Sequence, residues 1–382
     1  MRMRTACGWR GGCGTNFGRP KHHQAQLASP LLLPTPVSSQ QPRSSVITRA
    51  ITQNRTRHGR RHFLQILASR LAVSCLLRRP VTRLGRSCSW PSARSRLGAE
   101  LRAFYDASCP GAYDVVRRVI REARASDPRI PASLIRFHFH DCFVNGCDGS
   151  LLLDEDLPAI QTEKDVPANI NSARGFEVID DIKAALEEAC PGIVSCADIL
   201  ALAAEISVEL SGGPQWSVLL GRRDGTTTNV ESANNLPSPF DPLNVLQEKF
   251  RNFNLDDTDL VALQGAHTFG KVQCQFTQQN CAAGQPDDTL ENLDEATPKV
   301  FDSKYYGNLL HGRAKLAYDQ VMLSGPAAEA TTAPIVHRFA SNQKDFFKNF
   351  AASMVKMGNI APLTGNDGEI RKNCRRINSK GY

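Results

Sequence analysis

Not one aspartate or glutamate occurs in the first 99 of the 382 residues, although 18 of the 46 lysines and arginines do. The first acid is Glu100, and from there 28 basic residues face all 38 acidic ones, a net of −10. The formal charge of +8 therefore describes neither part of the chain, and it carries no argument for nucleic-acid binding by the acidic part. A membrane-spanning run is lacking as well. The best apolar stretch, Phe63 to Leu77, is broken by Arg70, short of the roughly 20 apolar residues a span needs. There is no internal repeat and no glycine-rich phosphate loop.

Residues 1–99 are rich in Arg, Ser and Pro and show neither helical nor strand periodicity. Three readings stay open for them: an organellar transit peptide, a secretory leader, or a start that does not belong to the native protein. Leu31-Leu32-Leu33 and Leu71 to Leu77 are poor hydrophobic cores for a secretory signal. On each reading residues 1–99 stand outside the fold, and residues 100–382 form the domain.

Of the twelve cysteines, Cys7, Cys13, Cys75 and Cys88 lie in the basic part. The other eight, Cys109, Cys142, Cys147, Cys190, Cys196, Cys274, Cys281 and Cys374, make an even set. Such a set in a domain of this size suggests four disulfides and an oxidising compartment. Zinc is the rival, with His138, His140, Cys142 and Cys147 as ligands. Against it, Cys142/Cys147 and Cys190/Cys196 lack the paired C-x2-C spacing.

What is present concentrates in Arg136-Phe137-His138-Phe139-His140-Asp141-Cys142-Phe143-Val144-Asn145-Gly146-Cys147-Asp148-Gly149-Ser150. If the segment up to Cys142 is helical, Arg136 and His140 share a face, and His138 lies roughly 200° away around the axis. A fixed cation then sits beside an imidazole able to move a proton. The loop that follows offers Asp141, Asp148 and Ser150, oxygen donors suited to a hard cation.

Apolar periodicity predicts helices from Ala112 to about Asp127, from Pro131 through the segment above, and from Gly175-Phe176 to Ala189. Ser195-Cys196-Ala197-Asp198 reads as a capping box that opens a long apolar helix ending before Gly212-Gly213-Pro214. Further helices are expected at Leu243–Phe250, Asp257–Gly265, Ser303–Leu310 and Phe346–Met357, and a short strand at Trp216–Leu220. Residues 274–298 read as loop. A helix on Leu260, Val261 and Leu263 runs into Gly265-Ala266-His267-Thr268-Phe269-Gly270, where small neighbours leave space for something flat over His267. Alone, His267 reads as a packed histidine.

The two histidine motifs together closely resemble the secreted plant haem peroxidases (class III). The likeness continues through Glu163-Lys164-Asp165, Asn171-Ser172-Ala173-Arg174-Gly175-Phe176, Cys190-Pro191-Gly192-Ile193-Val194-Ser195-Cys196-Ala197-Asp198, Gly221-Arg222-Arg223-Asp224-Gly225 and Asn234-Asn235-Leu236-Pro237. It spans about residues 101–378. The resemblance implies a mainly α, two-part helical fold with minor short β-strands and haem b between its halves. It makes His267 the proximal iron ligand and Asp319 the acceptor of that ligand's other N–H. On the opposite side it makes His140 the general acid/base, Arg136 the charge stabiliser, Asn169 the amide that orients His140, and Phe139 the shield of the haem edge.

The same resemblance implies two Ca2+ ions. Asp141, Val144, Gly146, Asp148 and Ser150 would hold one, with Glu163 in its water-bridged surroundings. Thr268, Asp294, Thr297, Val300 and Asp302 would hold the other. Pro237, Phe240 and Phe276 fall where donors enter. The implied disulfides are Cys109–Cys190, Cys142–Cys147, Cys196–Cys374 and Cys274–Cys281, each contributing about 2–4 kcal/mol and less for the short loops. Hydrogen peroxide and small phenols are the implied substrates, and a monomer, secreted to the cell exterior or wall or held in the vacuole, is the implied setting.

The chemistry explains the residue types. One imidazole near neutral pKa can take a proton from peroxide and return it to the leaving oxygen. A guanidinium does not titrate and stabilises the charge that develops there. The chain departs from the family at Gly149, where alanine is usual, at Phe137, where leucine is common, and at Glu205-Ile206. No N-x-S/T sequon occurs beyond Asn54-Arg55-Thr56. Other readings are an intracellular peroxidase, which would lack this cysteine set, and a haem- or calcium-bearing binder without turnover, which would not need Arg136 and His140. A nucleic-acid arm made of the basic part conflicts with an oxidising compartment. N-terminal sequencing of the native protein is expected to find a start near Leu101, and a retained Arg-rich segment would contradict that expectation.

Overall fold

A computed structural model of the chain describes residues 103–155 and 160–378. The segment 1–99, with its sequon and four cysteines, and the start expected near Leu101 lie outside the described residues. The described chain is mainly α-helical, as expected. Its first group of helices is α1 (Ala112–Ser126), α2 (Ile130–Cys142), α3 (Phe176–Ala189) and α4 (Cys196–Leu210). Short α5 (Val230–Ala233) leads to a second group: α6 (Leu243–Arg251), α7 (Asp257–Gln264), α8 (Lys304–Leu310), α9 (Ala317–Gln320), α10 (Gly325–Ala330), α11 (Ala333–Ser341) and α12 (Gln343–Met357).

Helix α4 is apolar all round, and every residue from Cys196 to Val208 is buried; such a helix belongs inside a core. Helix α2 packs along it, while α1 packs on α3 and α4. In the second group α7 packs on α12, and α11 touches both α8 and α12. The interior there is aromatic. Phe301 stacks on Phe346 at 5.6 Å and meets Phe350 edge-on at 4.7 Å. Such ring pairs add roughly 0.5–1.5 kcal/mol beyond the area they bury.

Four disulfides staple these elements: Cys109–Cys190, Cys142–Cys147, Cys196–Cys374 and Cys274–Cys281. Separations of 81 and 178 residues for the first and third place most of the unfolded-chain restraint there, roughly 4–5 kcal/mol each on the chain-entropy account. The bridge between Cys142 and Cys147 also removes the thiols that a zinc site with His138 would need.

Several expectations need correction. Ser195 caps α4 by accepting from the Asp198 N–H at 3.1 Å, but Asp198 does not return the bond. Its carboxylate accepts instead from Tyr105 Oη (2.7 Å), Gly221 N (2.6 Å) and Arg222 Nη1 (2.8 Å). A fully buried ion pair outcompetes a local cap. Trp216–Leu220 pairs with no strand among the described residues; the Leu219 carbonyl accepts from the Arg222 side chain, and the Trp216 ring packs edge-on against Phe350 at 5.9 Å. Strand pairing appears elsewhere: β1 (Lys271–Gln273) runs antiparallel to β2 (Leu290–Asn292), with Lys271 opposite Asn292, so the segment 274–298 is not all loop. Helix α12 starts a turn early because the Asn342 side chain accepts from the Asp345 N–H.

Asp198→Asn should leave the Arg222 charge buried without its counter-ion, and a loss of about 3–5 kcal/mol is expected in urea unfolding. A midpoint equal to wild type would show that the pair is not structural.

Candidate active site

Helix α2 carries Arg136 and His140 one turn apart, and the structure joins them. Arg136 Nε donates to His140 Nε2 at 3.2 Å. The rest of the guanidinium is held by Ala168 O at 2.7 Å and Ser172 Oγ at 3.1 Å, both through Nη2. On the other edge of the ring, His140 Nδ1 lies 2.6 Å from Asn169 Oδ1. That amide is oriented by its Nδ2, which donates to Glu163 O at 2.8 Å. An arginine can only donate, so Nε2 is the bare nitrogen and Nδ1 carries the hydrogen given to Asn169. Burial pushes the His140 pKa well below the ordinary histidine value, and the Arg136 charge pushes it further the same way. The product is a neutral imidazole whose lone pair sits beside a fixed cation.

His138 faces elsewhere. Its ring is buried, with Nδ1 3.6 Å from Cys142 Sγ. Burial, with Arg222 nearby, drives its pKa down to about 3. Phe139 stands edge-on to His140 at 5.1 Å and to Phe143 at 4.7 Å.

His267 lies on the 3-10 turn Gly265–Thr268 that follows α7. Its Nδ1 is 2.9 Å from Asp319 Oδ1, and Asp319 is only 1% exposed. Its Nε2 meets the hydroxyl of Tyr318 at 3.0 Å. The small residues beside it serve packing. A Cβ on Gly265 would stand 2.3 Å from Tyr306 Oη and 2.6 Å from a Phe346 ring carbon, and one on Gly270 would stand 2.8 Å from the Cβ of Ala132. The space beside Gly265 is therefore filled from the core, which gives this glycine a packing reason.

Two clusters of oxygens flank these histidines. Asp141 accepts from the Gly149 N–H and Asp148 from the Ser150 N–H, at 3.0 Å each. Asp141 Oδ1, Ser150 Oγ and Glu163 Oε2 are buried and find no hydrogen-bond partner among the described residues. Burial pushes the Asp141 and Asp148 carboxyls up, and raises Glu163 to about 7. Beneath them lies fully buried Arg371, whose Nη2 donates to Gly149 O at 2.6 Å. A Cβ on Gly149 would come within 2.8 Å of that nitrogen, which gives the glycine a packing reason. In the second cluster Thr297 Oγ1, with one hydrogen to give, lies within hydrogen-bond distance of Asp294 (3.0 Å) and Asp302 (2.9 Å), and Thr268 Oγ1 donates to Asp302 (3.1 Å). Val300 is 42% exposed beside them. Farther out, the rings of Phe240 and Phe276 meet at 6.4 Å, with Phe240 65% exposed. Pro237 is half-buried on the segment leading to Phe240.

The sequence reading missed Tyr305 and Tyr318. Tyr305 Oη donates to Asp319 Oδ1 at 2.8 Å, and Tyr318 reaches His267 as described. No local spacing announces either contact, since the partners lie 14 and 51 residues away in the chain.

A model of the family described as Peroxidase matches residues 116–342. The chain belongs to the peroxidase family. Peroxidase 54 of Arabidopsis thaliana is 52% identical over 309 residues, which is 74% of this chain and 86% of that protein. Peroxidase 2 of Cucumis sativus is 51% identical over 72% of this chain and 100% of its own length. The lignin-forming anionic peroxidase of Nicotiana tabacum is 47% identical, covering 73% and 94%. These likenesses make the chain a class III plant peroxidase, an enzyme of the haem peroxidase type acting on hydrogen peroxide and a donor. No helix among the described residues is long and apolar enough to cross a membrane.

Within this peroxidase the sign of the pH dependence follows from the buried base. Burial and the Arg136 charge both favour the neutral His140 ring. Arg136→Leu should therefore move the acid limb of the peroxide reaction to higher pH, besides slowing it. An unshifted limb in stopped-flow profiles would show that Arg136 does not act on the His140 proton.

Proposed function

We propose that the protein reduces hydrogen peroxide and oxidises small phenols in one-electron steps, with His140 as general acid/base and Arg136 as charge stabiliser. The observation that carries this reading is the Glu163–Asn169–His140–Arg136 chain, which leaves one imidazole nitrogen bare and aims a guanidinium at it.

The donor set fits haem b. Asp319 engages Nδ1 of His267 and so reserves Nε2 for the iron, whose arrival there would replace the Tyr318 hydroxyl. Haem supplies the redox chemistry when bound. His140 Nε2 would take the peroxide proton and return it to the departing oxygen, a service worth roughly 10²–10⁴-fold in rate. Asn169 keeps the imidazole turned for both transfers. Arg136, tied to Ala168 O, meets the developing negative charge without a change in its own protonation. Phe139 would shield the haem edge, while Pro237, Phe240 and Phe276 would receive the donor. The name of the tobacco relative supports a phenolic donor.

The three partnerless buried oxygens of Asp141, Ser150 and Glu163 suit a hard cation. In this reading one Ca2+ binds Asp141, Val144, Gly146, Asp148 and Ser150, with Glu163 reached through water. A second binds Thr268, Asp294, Thr297, Val300 and Asp302. The domain is residues 100–382, it acts as a monomer, and four disulfides support a secreted or vacuolar setting.

Residues 100–382, folded oxidatively with haem and Ca2+, should give a Soret band and oxidise guaiacol only with peroxide. Absence of either would refute the enzyme reading. Chelation should lower the melting temperature, and added Ca2+ should restore it where Mg2+ does not. Equal melting with and without chelator would remove the calcium sites.

A further inference from the structure

Oδ1 of Asp319 accepts two hydrogen bonds, from His267 Nδ1 at 2.9 Å and from Tyr305 Oη at 2.8 Å. Tyr305 is 2% exposed and Asp319 1%, so water screens neither bond and each weighs more than it would at the surface. Two donors on one oxygen divide its negative charge. We propose that Tyr305 is a positioning residue that limits how much charge Asp319 offers to the His267 ring, and so sets how strongly Nε2 donates to the haem iron. The inference rests on His267 being the iron ligand.

The phenol is held in place by more than this bond. Tyr305 lies in the first turn of α8, and its ring meets Tyr306 at 5.1 Å and the His267 ring at 6.1 Å, both edge-on. Tyr306 anchors the same turn by donating to Val261 O on α7 at 2.9 Å. The two adjacent phenols thus have separate tasks, one fixing the helix and one touching the carboxylate. Burial and the Asp319 charge push the Tyr305 pKa well above the ordinary tyrosine value, so the phenol remains a donor at any working pH.

The direction follows from charge. Without the phenol, Oδ1 pulls harder on the Nδ1 hydrogen, the ring gains imidazolate character, and Nε2 donates more strongly. Stronger donation favours the oxidised metal.

The test uses the haem-loaded protein, with the ferrous iron–imidazole stretch read by resonance Raman and the iron reduction potential by spectroelectrochemistry. Tyr305→Phe is expected to move the band to higher frequency and the potential to lower values. Tyr306→Phe, which loses the bond to Val261 instead, is expected to leave both in place. An unmoved band and potential in Tyr305→Phe overturn the proposal. A wild-type protein with no iron–imidazole band overturns the ligand assignment, and the proposal with it, a failure distinct from an unmoved band. Should Tyr305→Phe not retain haem, 3-fluorotyrosine at position 305 keeps the shape and strengthens the donor. It is expected to shift both readings the opposite way, and shifts in the same direction as Tyr305→Phe or none at all overturn the proposal.

Discussion

Arg136 can only donate a hydrogen bond, and its Nε–H points at Nε2 of His140 from 3.2 Å. Everything chemical on that side of the molecule depends on this constraint. It forces the His140 hydrogen onto Nδ1, which in turn needs an acceptor at 2.6 Å, supplied by Asn169 Oδ1. The amide can offer its oxygen only because its nitrogen is satisfied by Glu163 O. Each group has one permitted role, so the tautomer is decided by backbone placed well away from the imidazole.

The segment that carries Glu163 therefore has two duties. Its carbonyl orients Asn169, and its carboxylate belongs to the oxygen cluster with Asp141 and Asp148. A cation held at that cluster would stiffen the backbone that fixes the His140 hydrogen. Asp319 holds the Nδ1 of His267 as Asn169 holds the Nδ1 of His140, with a difference in charge. In the proposed reading a neutral amide would leave the imidazole a base that releases its proton again, whereas a carboxylate shared with Tyr305 would make the ring a strong and tunable donor. Two histidines thus acquire different chemistry from their Nδ1 partners.

Much of this was legible in the sequence. The i, i+4 spacing placed Arg136 and His140 on one face and sent His138 to another, and the apolar stripes located α1, α3 and α4 to within a residue or two. The eight cysteines announced an oxidising fold, and the motifs announced the family. What stayed hidden were contacts between residues far apart in the chain. Tyr305 and Tyr318 carry no local mark of their partners. Asp198 looked like a cap until Arg222, 24 residues on, claimed its carboxylate. The strand Leu290–Asn292 is three residues in a polar loop, too short for alternation to register. Gly265 showed that small size can serve a neighbour's ring as well as a ligand.

The most direct test of the account is the protonation pattern of His140 in the haem-loaded, ferrous carbonyl protein, read by 15N-resolved NMR of the imidazole. The expected result is a neutral ring at pH 7 with its hydrogen on Nδ1 and a pyridine-type Nε2, persisting to a pH well below that at which an ordinary histidine takes up a proton. A hydrogen on Nε2, or a doubly protonated ring at neutral pH, would contradict it.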